Sequence, residues 1–193
     1  GYVGYVAQED LAPEGPAPTH RVRVPLTYGF RDPSLKSPAT GPVSLNSLVA
    51  VSVREGRMAL CGSGLWLPEA HLAPVGTAEA DPAAVAEALL GAAYLWGGRE
   101  GCGLDCSGLV LQALLACGRA CPRDSDLQQG LGAPVPESRL RRGDLVFWKG
   151  HVAMMVDGER IIHANAHHMA VAIEPLSEAV LRISESGGGA PTA

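Results

Sequence analysis

The chain has 193 residues, 47% hydrophobic and 18% charged, which is a globular composition for one ordinary domain or two small ones. A formal net charge of −5, with no basic cluster beyond three residues, argues against nucleic acid as a partner. The longest apolar runs, such as 113–117 and 152–156, are far too short to cross a bilayer, so no transmembrane segment is expected.

The chain opens GYVGYV without a methionine, and further residues are expected to precede it. Residues 5–13, YVAQEDLAP, align without a gap with residues 66–74, WLPEAHLAP. Aromatic faces aromatic, aliphatic faces aliphatic, and both copies finish Leu-Ala-Pro. Residues 1–13 are therefore expected to be the last strand of a truncated first module, and residues 19–75 a complete second one. PEGPAP, 13–18, reads as the linker between them. From Arg21 to Pro74 short apolar runs (RVRVPL, SLVAVSV, RMALC, LWLP) are cut by turn signals at 31–33, 55–56 and 62–64. Strands this short at this spacing predict a small β-barrel.

Residues 76–80 read as a second linker, and Asp81-Pro82 as an N-cap followed by proline at the first helical position. An alanine-rich helix is expected to continue over 83–93, opening a second domain at about 78–185. Residues 186–193 are expected to fray.

Four of the five cysteines fall in CGLDCSGLVLQALLACGRAC, 102–121, with spacing C-x3-C-x10-C-x3-C. Asp105 is a good N-cap, no breaker follows Gly108, and Gly118 supplies a stop, so a helix is expected from Cys106 to Cys117. It is apolar almost all round and should be buried. Its length separates Cys106 from Cys117 by roughly 16 Å, whereas zinc ligands lie about 2.3 Å from the metal. One zinc held by all four cysteines is excluded if that helix forms. Cys117 is most simply a small buried hydrophobe, with a Cys117–Cys121 disulfide as the alternative. An odd cysteine count does not suit a secreted disulfide scaffold and tilts the expectation towards a reducing, cytoplasmic compartment over the periplasm or envelope. Cys106 differs from the others because a helix N-terminus stabilises a thiolate, and a depressed thiol pKa is expected there.

A reactive cysteine needs a base. HVAMMVDGERIIHA, 151–164, reads as a β-hairpin. A three-residue loop, 156–158 with Gly158 left-handed, places His151 directly opposite His163, so that one imidazole takes the thiol proton and the other orients it. His167 and His168 read as ordinary surface residues.

Asp-Cys-Ser-Gly-Leu-Val at 105–110 resembles the nucleophile motif of the bacterial NlpC/P60 cysteine peptidases. Tyr-Leu-Trp-Gly-Gly at 94–98, Pro-Arg-Asp-Ser-Asp-Leu-Gln at 122–128, Gly-Asp-Leu-Val-Phe-Trp at 143–148 and the His151 and His163 pair agree with that family in order. The barrel region is similar to the SH3-like (SH3b) modules that often precede such domains. Ala153 stands where the family usually has glycine, and Cys102 could form a regulatory disulfide with Cys106 or simply sit in a loop.

The resemblance implies an α+β, papain-like catalytic domain preceded by a small SH3-like β-barrel. It implies a cysteine peptidase acting on peptidoglycan stem peptides, or on murein peptides released from them, at the γ-D-glutamyl bond to a diamino acid. Cys106 would be the nucleophile, His151 the general base, and His163 the residue orienting it, with the Cys106 N–H in the oxyanion hole. Tyr94, Asp105 and Ser107 would bind the free amine of an N-terminal L-alanine, and Arg123 a substrate carboxylate. Helix capping, packing and an ion pair are the structural alternatives for Asp105, Tyr94 and Arg123. No Walker loop, dinucleotide fingerprint or zinc-ligand cluster appears, so neither cofactor nor metal is expected. A same-fold amidase or acyltransferase, and a non-catalytic wall-binding protein, are the competing readings.

Overall fold

The computed structural model describes residues 5–11 and 15–193, and the chain divides into two units, Gly1–Gly76 and Thr77–Ala193. Among its described residues the first unit holds eight short strands: β1 (His20–Val22), β2 (Leu26–Phe30), β3 (Ala39–Ser44), β4 (Leu48–Val49), β5 (Val51–Glu55), β6 (Met58–Cys61), β7 (Trp66–Pro68) and β8 (Leu72–Pro74). They form two antiparallel sheets, ordered β4-β1-β8 and β3-β2-β7-β6-β5. Val22, Ala59, Cys61, Leu67 and Leu72 make their shared core.

The expected closed barrel is not formed among the described residues. At Ala50 the chain leaves one sheet (β4) and enters the other (β5), and no ladder joins the two sheets into a ring. The expected strand at 1–13 is not seen where it can be examined. Residues 5–7 carry no strand and Gln8–Asp10 form a 3-10 turn, while 1–4, 12 and 13 lie outside the described residues. The second copy of the repeat carries its own 3-10 turn, Glu69–His71, at the aligned position.

The second unit opens with α1 (Pro82–Glu87), capped by the Asp81 side chain, which accepts from the Ala83 N–H at 2.9 Å. This helix is shorter than the expected 83–93. At Gly91 (φ 82°) the chain turns out of helical geometry. There the Gly91 N–H donates to the Val171 carbonyl, and the Val171 N–H donates back to Ala92. Pairing with a distant strand thus overrides alanine's helix propensity. β9 (Arg99–Glu100) and β10 (Gly103–Leu104) then lead into α2 (Cys106–Ala116), followed by α3 (Ser125–Gln128).

α2 is buried nearly all round, as its apolar composition demands. It packs on an antiparallel meander of β11 (Leu145–Trp148), β12 (His151–Met155), β13 (Arg160–Asn165) and β14 (Ala170–Pro175). α4 (Leu176–Glu185) closes the unit, packing with Val146, Trp148, Ala153, Met155 and Ile161 around Leu176 and Ala179. The last residues are tied down, contrary to the expected fraying. Thr192 N–H donates to the Phe147 carbonyl and Phe147 N–H to that of Ala193, each at 2.7 Å, so the tail pairs with the outer edge of β11. No helix among the described residues is long and apolar enough to cross a membrane.

Candidate active site

Cys106 is the first residue of α2, and its position is set by backbone packing as well as by the cap. The Gly97-Gly98 turn lies against the helix start so closely that a Cβ on Gly108 would sit 2.2 Å from the Gly98 carbonyl oxygen. Only glycine permits that approach. Gln128, fully buried, ties α3 to the same place: its Nε2 donates to the Ser107 carbonyl at 3.0 Å and to that of Pro122 at 2.8 Å.

The Cys106 thiol is directed at the backbone N–H of Val152, beside His151 on β12, as well as at those of Ser107 and Cys106 itself. The expected depression of its pKa is not found. Burial pushes the thiol up, the nearby Asp105 charge adds to that, and the three N–H groups only partly offset it. The N–H groups at the helix start act in the expected direction, but desolvation outweighs them.

The hairpin brings both histidines to one face, with a different turn from the one expected. β12 and β13 pair Met154 with Ile162 and Met155 with Ile161, and the Val156 N–H donates to the Arg160 carbonyl. The loop is therefore 157–159. Gly158 is not left-handed, because the Asp157 carboxylate closes the turn by accepting from the N–H groups of Glu159 and Arg160 at 2.9 and 2.8 Å. In this register the histidines are diagonal neighbours rather than directly opposed. His151 Nε2 and His163 Nδ1 are 2.8 Å apart. Trp148 packs over His151 with ring centroids 5.8 Å apart.

Burial holds both imidazoles neutral, with each pKa lowered to about 3. For His151 burial is joined by repulsion from His163, and for His163 by the charge of Arg182. The resting pair is thus a neutral thiol beside a neutral imidazole.

Three of the four expected substrate contacts are engaged with one another. Asp105 Oδ1 accepts from Gly108 N–H at 2.7 Å, capping α2, from Ser107 Oγ at 3.2 Å and from Arg123 Nη1 at 2.9 Å. Its Oδ2 accepts from Gly97 N–H at 3.0 Å and Arg123 Nη2 at 2.7 Å. Those contacts use the roughly four acceptor sites of a carboxylate. Burial raises the Asp105 carboxyl, but the Arg123 and Gly108 hydrogen bonds lower it further, leaving it below the ordinary range. Arg123 completes its fork on Ser107 Oγ at 2.9 Å and the Gly98 carbonyl at 3.2 Å.

Asp105, Ser107 and Arg123 are thus hydrogen-bonded to one another in this arrangement, with Asp105 serving both as the helix cap and as the ion-pair partner of Arg123. Tyr94 lies outside the network, half-buried. Its phenol is raised chiefly by burial, with Cys106 and Asp105 adding to the shift.

None of the five cysteines is in a disulfide, so neither the Cys117–Cys121 nor the Cys102–Cys106 bridge is formed, and Cys102 is exposed. Among the described residues His163, His168 and Glu174 bring ligand atoms within 4.8 Å of one another. The Arg182 guanidinium already occupies the Glu174 carboxylate, so a cation there would meet a fixed positive charge. Glu174, Arg182 and Gln128 are the polar residues at this site that the sequence reading did not assign a role.

A cysteine at a helix start, facing a β-hairpin whose two strands present hydrogen-bonded histidines, is the constellation of a papain-like cysteine hydrolase. The NlpC/P60 family model matches residues 91–183, and this part of the chain is an NlpC/P60 family domain of mixed α/β fold. The chain is 29% identical to a γ-D-glutamyl-L-lysine dipeptidyl-peptidase of Bacillus subtilis, over 93% of this chain and 66% of that protein. It is 36% identical to dipeptidyl-peptidase 6 of Lysinibacillus sphaericus, over 44% of this chain and 32% of that one. The crystal structure of an NlpC/P60 family protein from Bacillus cereus superposes with a TM-score of 0.71 at 29% identity. That match covers 82% of this chain, more than its second unit contains, and 58% of the other. The chain thus spans from about a third to just under two thirds of the length of these relatives.

Proposed function

We propose that the protein is a cysteine peptidase that hydrolyses peptidoglycan stem peptides at the γ-D-glutamyl–diamino acid bond, with preference for a free N-terminal L-alanine. The observation that carries this reading is the Cys106 helix start set against the His151–His163 pair, 2.8 Å apart. His151 takes the thiol proton as Cys106 Sγ attacks the γ-carbonyl carbon. The N–H of Cys106 contributes to the cradle for the oxyanion that develops. Collapse of the tetrahedral intermediate breaks the C–N bond, and His151 returns the proton to the departing amine of the diamino acid. Water, deprotonated by His151, then hydrolyses the thioester and restores the thiol.

The names of the Bacillus and Lysinibacillus relatives support the bond and the dipeptidyl mode of cleavage. Tyr94, Asp105 and Ser107 are the candidates for binding the substrate's free amine, and Arg123 for a substrate carboxylate. The first unit fits an SH3-like module as residues 19–75, with the catalytic domain at 78–185. Its short antiparallel strands on a small shared core support that assignment.

The test is cleavage of L-Ala-γ-D-Glu-diaminopimelate with a free and with an acetylated alanine amine, against a Cys106→Ala control. Cleavage of the free-amine peptide alone, abolished in the control, is the expected result. Equal cleavage of both would reject the dipeptidyl mode, and cleavage of neither would reject the substrate class.

A further inference from the structure

The hydrogen-bonded chain that starts at His151 does not stop at His163. His163 Nε2 lies 2.6 Å from Glu174 Oε1, and Arg182 Nη2, from α4, contacts the same oxygen. His163 is fully buried and Glu174 only 9% exposed. Glu174 is opposite Ile161 in the β13–β14 ladder, which puts it on the sheet face that carries His163.

The order of these groups dictates where the protons sit. Arginine has donors and no acceptor, so the oxygen facing it accepts, and a carboxylate accepts only. The hydrogen between Glu174 and His163 therefore belongs to His163 Nε2. A neutral imidazole carries a single N–H, which leaves His163 Nδ1 bare and able only to accept. The donor across the 2.8 Å contact is then His151 Nε2. His151, neutral as well, has spent its one proton in that bond, and its Nδ1 is left bare.

Without an acceptor at Glu174 the opposite arrangement is equally allowed. His163 Nδ1–H would donate to His151 Nε2, the His151 proton would move to Nδ1, and the ring would have no nitrogen free to accept a proton.

We infer that Glu174, held by Arg182, is a positioning residue: as a fixed acceptor on His163 it sets the tautomers of both histidines and leaves Nδ1 of His151 free to take the Cys106 proton. The inference rests on the reading of Cys106 and His151 as nucleophile and base. Glu174 acts as an acceptor and not chiefly as a charge, because the guanidinium on the same oxygen neutralises it.

Two readouts test it. The first needs neither substrate nor variant: long-range 1H–15N correlation spectra of the full chain labelled in histidine, at pH 7. His151 and His163 are each expected to be protonated at Nε2 and bare at Nδ1. Protonation of His163 at Nδ1 would overturn the inference, whether or not any peptide is cleaved.

The second compares Glu174→Gln with Glu174→Met in the cleavage assay. The glutamine amide oxygen still faces Arg182 and can still accept from His163, so this variant is expected to keep the tautomers and most of kcat. Glu174→Met is expected to show mixed tautomers and a kcat reduced about 10- to 100-fold, by analogy with the loss of a carboxylate that orients a metal-bound histidine, with KM little changed. A loss in Glu174→Gln as large as in Glu174→Met would overturn the acceptor role in favour of charge. A folded Glu174→Met protein with unchanged tautomers and kcat would overturn it outright. Should Glu174→Met not fold, the wild-type spectrum and the glutamine variant decide.

Discussion

Alkylation of Cys106 should follow the ionisation of a partly buried thiol rather than that of a preformed thiolate–imidazolium pair. Burial raises its pKa above the ordinary 9.0, so at pH 7 no more than about 1% of the sulfur is thiolate. Because the thiolate is the nucleophile, the rate with iodoacetamide should climb about tenfold per pH unit from 6 to 9. Cys102 is exposed and would react alongside it. The measurement therefore uses a Cys102→Ser background, with labelling at Cys106 read by peptide mapping. A rate already on a plateau below pH 7 would show a stabilised thiolate and refute the argument that desolvation outweighs the helix N-terminus. It would also replace general-base catalysis by a pre-ionised pair.

Two further predictions concern stability. The buried imidazoles stay neutral in the folded protein until about pH 3, while unfolded histidines take up protons near 6.5. The unfolded state thus binds more protons below 6.5, and stability is lost as pH falls from there. At about 1.4 kcal/mol per unit per histidine once the unfolded imidazole is fully protonated, and half that at pH 6.5, urea titrations should show a loss of roughly 3 kcal/mol from this pair between pH 6.5 and 5. A His151→Gln, His163→Gln protein should lack that slope, and an equal slope in it would count against neutral burial. The Arg123–Asp105 pair is 17% and 14% exposed. Arg123→Met should cost about 3 kcal/mol by leaving a buried carboxylate uncompensated. Adding Asp105→Asn, which preserves the helix cap, should recover part of this loss in urea unfolding. No recovery would mean the cost lies in packing.

How much of the site was legible in the sequence depended on the range of the interaction involved. The start of α2 was readable because Asp105, Cys106 and Gly108 carry a local capping signal. The common face of His151 and His163 was readable from strand parity. Their diagonal offset was not, because it depends on the Asp157 side chain closing a turn that glycine was expected to make. The overlong α1 has the same origin at longer range, since pairing of Gly91 and Ala92 with Val171 joins segments eighty residues apart. The direction of the Cys106 shift required knowing how deeply the helix start is buried, which composition indicates only in outline. Glu174, within an unremarkable AVAIEP strand, has no motif of its own. Only the β13–β14 register and the placement of α4 bring it and Arg182 to His163.

That Cys106 attacks the γ-D-glutamyl carbonyl is tested most directly by mass spectrometry of protein quenched in acid during turnover of L-Ala-γ-D-Glu-diaminopimelate. The predicted result is an L-Ala-D-Glu acyl adduct confined to the peptide containing Cys106 and absent from the Cys106→Ala protein. Product formation without any adduct, persisting in Cys106→Ala, would contradict the account.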